Sequence, residues 1–323
     1  MIVSITFLYL SLRKVEINIL VSLLNVSFIP VLFYILILCL IAAYLRAVRW
    51  KILLKEYKIV SINDTYNYNN ISYLFNNIFP VRAGDIIKVL MISNKHKISK
   101  IKLFTSVGLE RLFDMTGLAF IFLFSLTING LPDWFYRGSI IIISGFLILL
   151  IFLYLLSLKK GKSDFKSGRT NLFTKFLEKL TDKFDKLVSY LKILQNPAIS
   201  FYLIGISVII WIIYVSTGII ILNTLLPDVN PVNISVVSIL FVSFSMLLPA
   251  APGNIGTYQY ACILAFGLFD IPESNAFAFS IFSQIPAYII NNIIGMISLY
   301  QEGLSFKKLK KIKDNENYGN EFV

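Results

Sequence analysis

The sequence predicts an all-α, polytopic integral membrane bundle of about seven to eight spans, counting two re-entrant or broken-helix segments. Three observations predict it. Of 323 residues, 57% are apolar and 15% charged, against ~45–50% and ~25% in soluble domains. The apolar residues gather into runs that approach the ~20 residues a crossing helix needs. The 30 Lys and Arg outnumber the 18 Asp and Glu, for a formal charge of +12. They cluster between the runs, where basic residues set membrane orientation rather than a nucleic-acid footprint. A soluble globular enzyme, a disordered chain and a collagen-like chain are thereby excluded. Cys39 and Cys262 sit in apolar surroundings and cannot build a disulfide framework. The one histidine, His96, argues against a His-rich metal site or a Ser-His-Asp apparatus.

Taken in order, Met1–Leu12 is apolar and short, and Arg13 and Lys14 follow it. A secretory signal puts its positive region first, so this is a truncated first span or an interfacial segment. The first clear span is Ile29 to about Tyr44, closed by Arg46, Arg49, Trp50 and Lys51 as a basic, interfacial end. Tyr66–Ile92 carries Asn67, Asn69, Asn70, Asn76 and Asn77, then Pro80, Arg82, Gly84, Asp85 and Lys88, which suits a broken helix facing protein or water. Leu103–Ile128 is long and apolar but holds Glu110, Arg111 and Asp114. Ile140–Leu156 and Phe201–Leu225 are plain spans. Between them, residues 159–192 hold ten Lys and Arg against four acids. There Phe173, Phe176, Leu177, Leu180, Phe184 and Leu187 recur at helical spacing, as on an amphipathic helix lying on an anionic leaflet. Val236–Leu248 leads into the Pro/Gly-rich break Pro249–Tyr260. Ala261–Phe269 is too short to cross alone, and Phe277–Tyr300 is the last span. The basic segments share one face only if Tyr66–Ile92 and Pro249–Phe269 are not single crossings.

Three constellations carry chemistry. Glu110 and Asp114 are four apart on one helix face, with Arg111 three from Asp114. They lie eight residues past Lys102, about 12 Å of helix. A charge at that depth costs at least ~2.5–3.5 kcal/mol, so such groups face a cavity or one another. A structural ion pair between helices would fit the same residues. In the run Asn76 to Asp85, Pro80 frees a backbone carbonyl, Gly84 permits close approach, and Arg82 presents a fork suited to phosphate, with Lys88 beyond. A plain turn between short helices is the other reading. The third is Leu248 to Gln259, broken by Pro249, Pro252, Gly253 and Gly256. Gln284, Pro286, Asn291 and Asn292 in the last span read mostly as interhelical contacts. No phosphate-loop, HExxH, GxSxG or CxxC signature is present. Asp182 and Asp185 fall among lysines and read as loop ion pairs.

Four motifs together resemble a known family. They are Arg46-x-x-Arg49-Trp50-x-x-Leu53-Leu54, Asn77-x-Phe79-Pro80-x-Arg82-x-Gly84-Asp85, Glu110-Arg111-x-x-Asp114 and Leu248-Pro249-x-x-Pro252-Gly253-x-x-Gly256. In this order they resemble the lysylphosphatidylglycerol synthase transmembrane-domain family, the flippase-like membrane part of the multiple peptide resistance factor proteins. The resemblance implies a helical domain with re-entrant segments that flips aminoacylated phosphatidylglycerol, with relatives beside glycosyltransferases of lipid-linked sugar pathways. It implies that Arg82, Asp85, Glu110, Arg111, Asp114, Pro252, Gly253 and Gly256 line or shape a lipid path. This chain departs from the family where Asp85 replaces a glutamate, Gln259 an acidic residue and Gln284 an arginine.

The resulting expectation is a single transmembrane flippase-like domain over 1–306, with a basic cytoplasmic loop and amphipathic helix at 158–199. A basic, then acidic, cytoplasmic tail fills 307–323. It sits multi-pass in the cell membrane with its basic loops and C-terminus cytoplasmic. It moves a phospholipid or lipid-linked sugar past an intramembrane charged cavity. A membrane-embedded transferase, or a non-catalytic membrane partner of a glycosyltransferase, are the alternatives. Expected pathway residues are Asn77, Arg82, Asp85, Lys88, Glu110, Arg111 and Asp114. Pro80, Gly84, Pro249, Pro252, Gly253 and Gly256 are structural breaks, and Arg46, Arg49, Gln259 and Gln284 are secondary candidates. No catalytic residue, metal, cofactor or nucleic-acid partner is expected, and the missing soluble aminoacyltransferase domain argues against lipid synthesis by this chain.

Overall fold

The computed structural model describes residues 2–13, 15, 29–79, 83–158, 191–248 and 251–304. All regular elements among them are helical. In order they are α1 (Ile2–Leu12), α2 (Ile29–Leu54), α3 (Ile62–Ile78), α4 (Ala83–His96), α5 (Lys100–Ser125), α6 (Asp133–Leu158), α7 (Pro197–Leu225), α8 (Pro231–Ser245), α9 (Thr257–Gly267) and α10 (Glu273–Gln301), with short 3-10 turns at Leu191–Gln195 and Pro252–Asn254.

Length sorts them. Helices α2, α5, α6, α7 and α10 have 26, 26, 26, 29 and 29 residues, roughly 39–44 Å at ~1.5 Å per residue. Each can cross a ~30 Å hydrocarbon core. Four of them are apolar enough to do so outright; α5 is excepted by its charges. Apolar side chains line their outer faces, as on α6, where Ile141, Ile148 and Phe152 are 71%, 67% and 56% exposed. Such a surface needs lipid rather than water.

Four of the five shorter helices, α1 apart, form two hairpins. Helices α3 and α4, 17 and 14 residues long, are about 26 and 21 Å and fall short of a crossing. Their open ends lie together: Lys95 Nζ is 2.7 Å from Asp64 Oδ1, His96 Nε2 is 2.8 Å from Asp64 Oδ2, and Lys58 Nζ donates to the His96 carbonyl at 2.9 Å. Gly84 lets the arms touch. A Cβ there would stand 1.9 Å from the Ser72 carbonyl oxygen, and its N–H donates to Asn76 Oδ1 at 2.9 Å. Helices α8 and α9, 15 and 11 residues, open at the far end of the bundle, where Leu226, Val229, Phe269 and Ile271 pack on one core cluster. Gly256, at φ 90°, begins α9 in a backbone conformation that only glycine takes without strain. The hairpins therefore enter from opposite ends.

Several expectations change. The first clear span, α2, does not stop at the Arg46–Lys51 cluster but runs to Leu54, and Arg46, Arg49 and Trp50 are 7%, 1% and 0% exposed. They are interior residues, not interfacial markers, because each finds a partner on another helix. Helix α7 begins at Pro197, capped by Asn196, so the loop expected over 158–199 loses both edges to α6 and α7. Pro80, Arg82, Pro249, the amphipathic helix within 159–190 and the 307–323 tail lie outside the described residues.

Candidate charged junction and helix-hairpin tips

The remaining ionisable candidates converge where α2, α4, α5 and α7 meet. Glu110, Arg111 and Asp114 on α5 do not chiefly neutralise one another. Glu110 Oε2 lies 2.5 Å from Lys88 Nζ on α4, and Lys88 also donates to Asn69 Oδ1 at 3.1 Å and sits 4.3 Å from the Trp50 ring centroid. Arg111 Nη2 lies 2.6 Å from Asp85 Oδ2, and Ser72 Oγ donates to the other Asp85 oxygen at 3.1 Å. Asp114 Oδ1 lies 2.7 Å from Arg49 Nη1, which also reaches Ser207 Oγ at 2.9 Å. Only Arg111 and Asp114 meet within the helix, at 3.8 Å. Each carboxylate thus ties α5 to a neighbour, or α4 to α5.

Exposure is graded along this ladder. The Lys88 and Glu110 side chains are 5% and 7% exposed, whereas Arg111, Asp114 and Asp85 are 43%, 27% and 21%. The ladder opens on the Asp85–Arg111–Asp114 side, where a polar headgroup can approach charges already paired and held in place. Arg46 is the secondary candidate closest in role. Its Nη1 donates to Tyr214 Oη at 2.6 Å, and its guanidinium carbon lies 4.3 Å from the Tyr73 ring centroid.

The hairpin tips meet on one face of α10. Gln284, Tyr288 and Asn292 recur every four residues there. Gln284 Nε2 donates to the Gly253 carbonyl at 2.6 Å and Gln284 Oε1 accepts from Gln259 Nε2 at 2.5 Å; Gln259 Oε1 accepts from the Gly256 N–H at 2.7 Å. Tyr288 packs where a Gly253 side chain would be, 2.8 Å from its ideal Cβ, and its hydroxyl is 3.5 Å from the Asn77 carbonyl. Asn77 Nδ2 donates to Asn292 Oδ1 at 3.1 Å. Pro252 opens the 3-10 turn beside these contacts. Asn77, Gly253, Gly256, Gln259 and Gln284 therefore belong to the tips, not to the charge ladder. Two of the three departures from the family pattern, Gln259 and Gln284, bond each other.

At the basic end, Lys95 bridges Asp64 and Glu302, and Glu302 also accepts from Asn67 and Tyr68. Burial alone would raise the Asp64 carboxyl, but hydrogen bonds from Lys95 and His96 outweigh it and hold the group below the usual carboxylate range. An apolar recess of about 230 Å³ between α5, α6 and α8, lined by Phe122, Trp134, Phe135, Ser139, Leu240 and Phe244, lies apart from all these polar groups. No His, Cys, Asp and Glu among the described residues group as a metal site.

Sequence reasoning missed Ser72, Tyr73, Ser207, Tyr214 and Tyr288, and named Asn69 only among the polar residues of the broken segment. A faint signal existed for the α7 residues: Ser207, Trp211 and Tyr214 fall on one stripe of an otherwise apolar helix.

The comparisons bear on the whole arrangement. The model of the lysylphosphatidylglycerol synthase TM region matches residues 1–295. The chain is similar to two UPF0104 membrane proteins of Methanocaldococcus jannaschii. One, MJ1078, is 26% identical over 75% of this chain and 99% of its own length; the other, MJ1595, is 25% identical over 81% and 82%. It is also similar to the glycosyltransferase AglD of Haloferax volcanii, 27% identical over 59% of this chain, and the matched part spans only 35% of that protein's length. No solved structure matches. The chain belongs to the lysylphosphatidylglycerol synthase TM region family and is a membrane protein.

Proposed function

We propose that the chain moves a phospholipid or a lipid-linked sugar across the cytoplasmic membrane. The tails stay in lipid while the headgroup passes the junction of α2, α4, α5 and α7. The observation that carries this reading is the pair of hairpins entering from opposite ends, with their tips on α10 and a paired charge ladder beside them. Broken helices at mid-depth present backbone and polar groups where a headgroup needs replacements for water. Paired charges offer such replacements without leaving a lone ion in hydrocarbon. The path is formed by Asp85, Lys88, Glu110, Arg111 and Asp114, and the family resemblance adds Arg82 to them. The basic ends and the C-terminus face the cytoplasm, by the bias of Lys and Arg toward that side. Residues 1–306 act as one transmembrane unit, the basic segment that joins α6 to α7 serves the inner leaflet, and no catalytic residue or cofactor takes part.

The test is reconstitution into vesicles bearing a fluorescent phospholipid or polyprenyl-linked sugar in one leaflet, read by reduction of the dye from outside. Transport in protein-containing vesicles, reduced by Arg111→Met, supports the reading. No movement of either lipid class overturns it. The glycosyltransferase name of the Haloferax relative favours a second reading, a membrane partner of a glycosyltransferase. In that case deleting 159–190 abolishes the cellular phenotype, while Arg111→Met does not.

A further inference from the structure

Among the described residues at the junction, four cations (Arg46, Arg49, Lys88, Arg111) face three carboxylates (Asp85, Glu110, Asp114). Asp85 pairs with Arg111, Glu110 with Lys88, and Asp114 with Arg49. Arg46 is left over. It is 7% exposed, and its contacts among the described residues are neutral: the Tyr214 hydroxyl, the Tyr73 ring face, and nothing at all for its Nε. Arginine does not deprotonate in proteins. A buried guanidinium whose direct contacts are neutral, with Asp114 acting on it only at longer range while bonded to Arg49, carries a cost that a neutral hydrogen bond and a cation–π contact offset only in part. Arg49, one turn further along the same face of α2, keeps its own Nε buried and unpartnered despite its bond to Asp114.

We propose that Arg46 is an anion-binding group and takes a phosphate or phosphodiester oxygen, with the Arg49 Nε–H as a second donor. The planar guanidinium fork matches adjacent phosphate oxygens, and the one net positive charge of the described junction groups matches the one negative charge of a phosphodiester. Tyr214 Oη accepts from Arg46 Nη1, so its own proton is free to reach a further oxygen. Arg46 lies eight residues before the end of α2 at Leu54, about 12 Å of helix, so the anion is held within the bundle. A lipid headgroup and free phosphate share this chemistry. That a lipid brings it rests on the transport reading above.

The test uses the full chain in a phosphate-free glycoside detergent, titrated separately with inorganic phosphate, dihexanoyl phosphatidylglycerol and uncharged dihexanoylglycerol. Thermal midpoint and calorimetric affinity are the readouts. Wild type binds the phosphatidylglycerol and gains thermal stability from it, inorganic phosphate competes, and dihexanoylglycerol does neither. Arg46→Met weakens the phosphatidylglycerol at least ~10-fold, and Arg46→Lys, which keeps the charge but not the fork, falls between. Should Arg46→Met not fold, Arg46→Lys and Tyr214→Phe carry the same comparison. Binding of inorganic phosphate alone, lost in the variants, supports the anion site and assigns its source to water. Equal affinity in wild type and Arg46 variants, or no phosphate binding by wild type, overturns it. Vesicle transport separates the two ideas. Arg46-dependent binding without wild-type transport sinks only the lipid pathway. Wild-type transport with Arg46-independent binding sinks only the anion site.

Discussion

Glu110→Gln isolates what the buried pair contributes. The substitution keeps the side-chain shape and removes one charge from a contact of 2.5 Å between groups 5% and 7% exposed. At an effective dielectric of about 20, two unit charges at that separation attract by roughly 6–7 kcal/mol. Desolvation of both ions cancels much of this, and removing one partner of a buried pair costs about 3–5 kcal/mol. Lys88 keeps Asn69 Oδ1 at 3.1 Å and the Trp50 ring at 4.3 Å, so the loss falls near ~3 kcal/mol. In thermal unfolding of the detergent-solubilised protein, that lowers the midpoint by about 4–5 °C. Lys88→Met with Glu110→Leu replaces the pair by apolar groups of similar volume and recovers most of the lost stability. Vesicle transport falls in the single and the double variant alike, because both lack the charges a headgroup meets. A loss below ~1 kcal/mol in Glu110→Gln would mean the pair is solvated. Wild-type transport by the stable double variant would make the pair a structural lock and refute its place in the pathway.

Gly84→Ala places a Cβ 1.9 Å from the Ser72 carbonyl oxygen. Backbone cannot yield as a side-chain tip does, so the α3–α4 hairpin loosens at a cost of at least ~2 kcal/mol, read as a lower thermal midpoint and earlier proteolysis near residues 79–82. Gln284→Leu strands the Gly253 carbonyl and the Gln259 amide and destabilises by ~1–3 kcal/mol. Gln259→Glu with Gln284→Arg turns the amide pair into an ion pair and is tolerated better than either change alone, with a coupling of at least ~1 kcal/mol in a double-mutant cycle.

The long spans and both breaks were legible because period, length and Pro/Gly punctuation are local properties of the chain. So was the gathering of ion pairs at Glu110, Arg111 and Asp114, since three charges on one turn of an apolar helix need partners. What escaped was partnership and depth. Arg49 and Asp114 are 65 residues apart, and Arg46 and Tyr214 are 168 apart. With no partner in view, a basic-aromatic cluster near a helix end looks like a membrane interface, although Arg49 and Trp50 are buried. Tyr73 and Tyr214 counted as apolar bulk, although their rings and hydroxyls are what Arg46 touches. Gln259 and Gln284 looked like two separate losses of charge. Only the packing of α9 on α10 shows them bonded to each other.

The two hairpins are held by different forces, and that difference assigns them different work on the proposed path. Helices α3 and α4 are fastened by charge: Asp85 to Arg111, Lys88 to Glu110, and Lys95 to Glu302. Helices α8 and α9 are fastened to α10 by neutral groups, through Gln259 to Gln284, Gln284 to the Gly253 carbonyl and Tyr258 to Ser283, over an apolar core that includes Phe266 and Phe279. A charged headgroup competes for ion-pair partners, and each exchange of one partner for another replaces a strong contact by one of similar strength. The same headgroup gains much less from a neutral amide that is already satisfied. Its passage therefore acts on the α3–α4 hairpin and leaves α8–α9 as a fixed wall. Variants that neutralise Asp85 or Arg111 then change the rate and headgroup preference of transport, whereas variants at Gln259 or Gln284 change chiefly stability. Equal effects of both sets on headgroup preference would break this division.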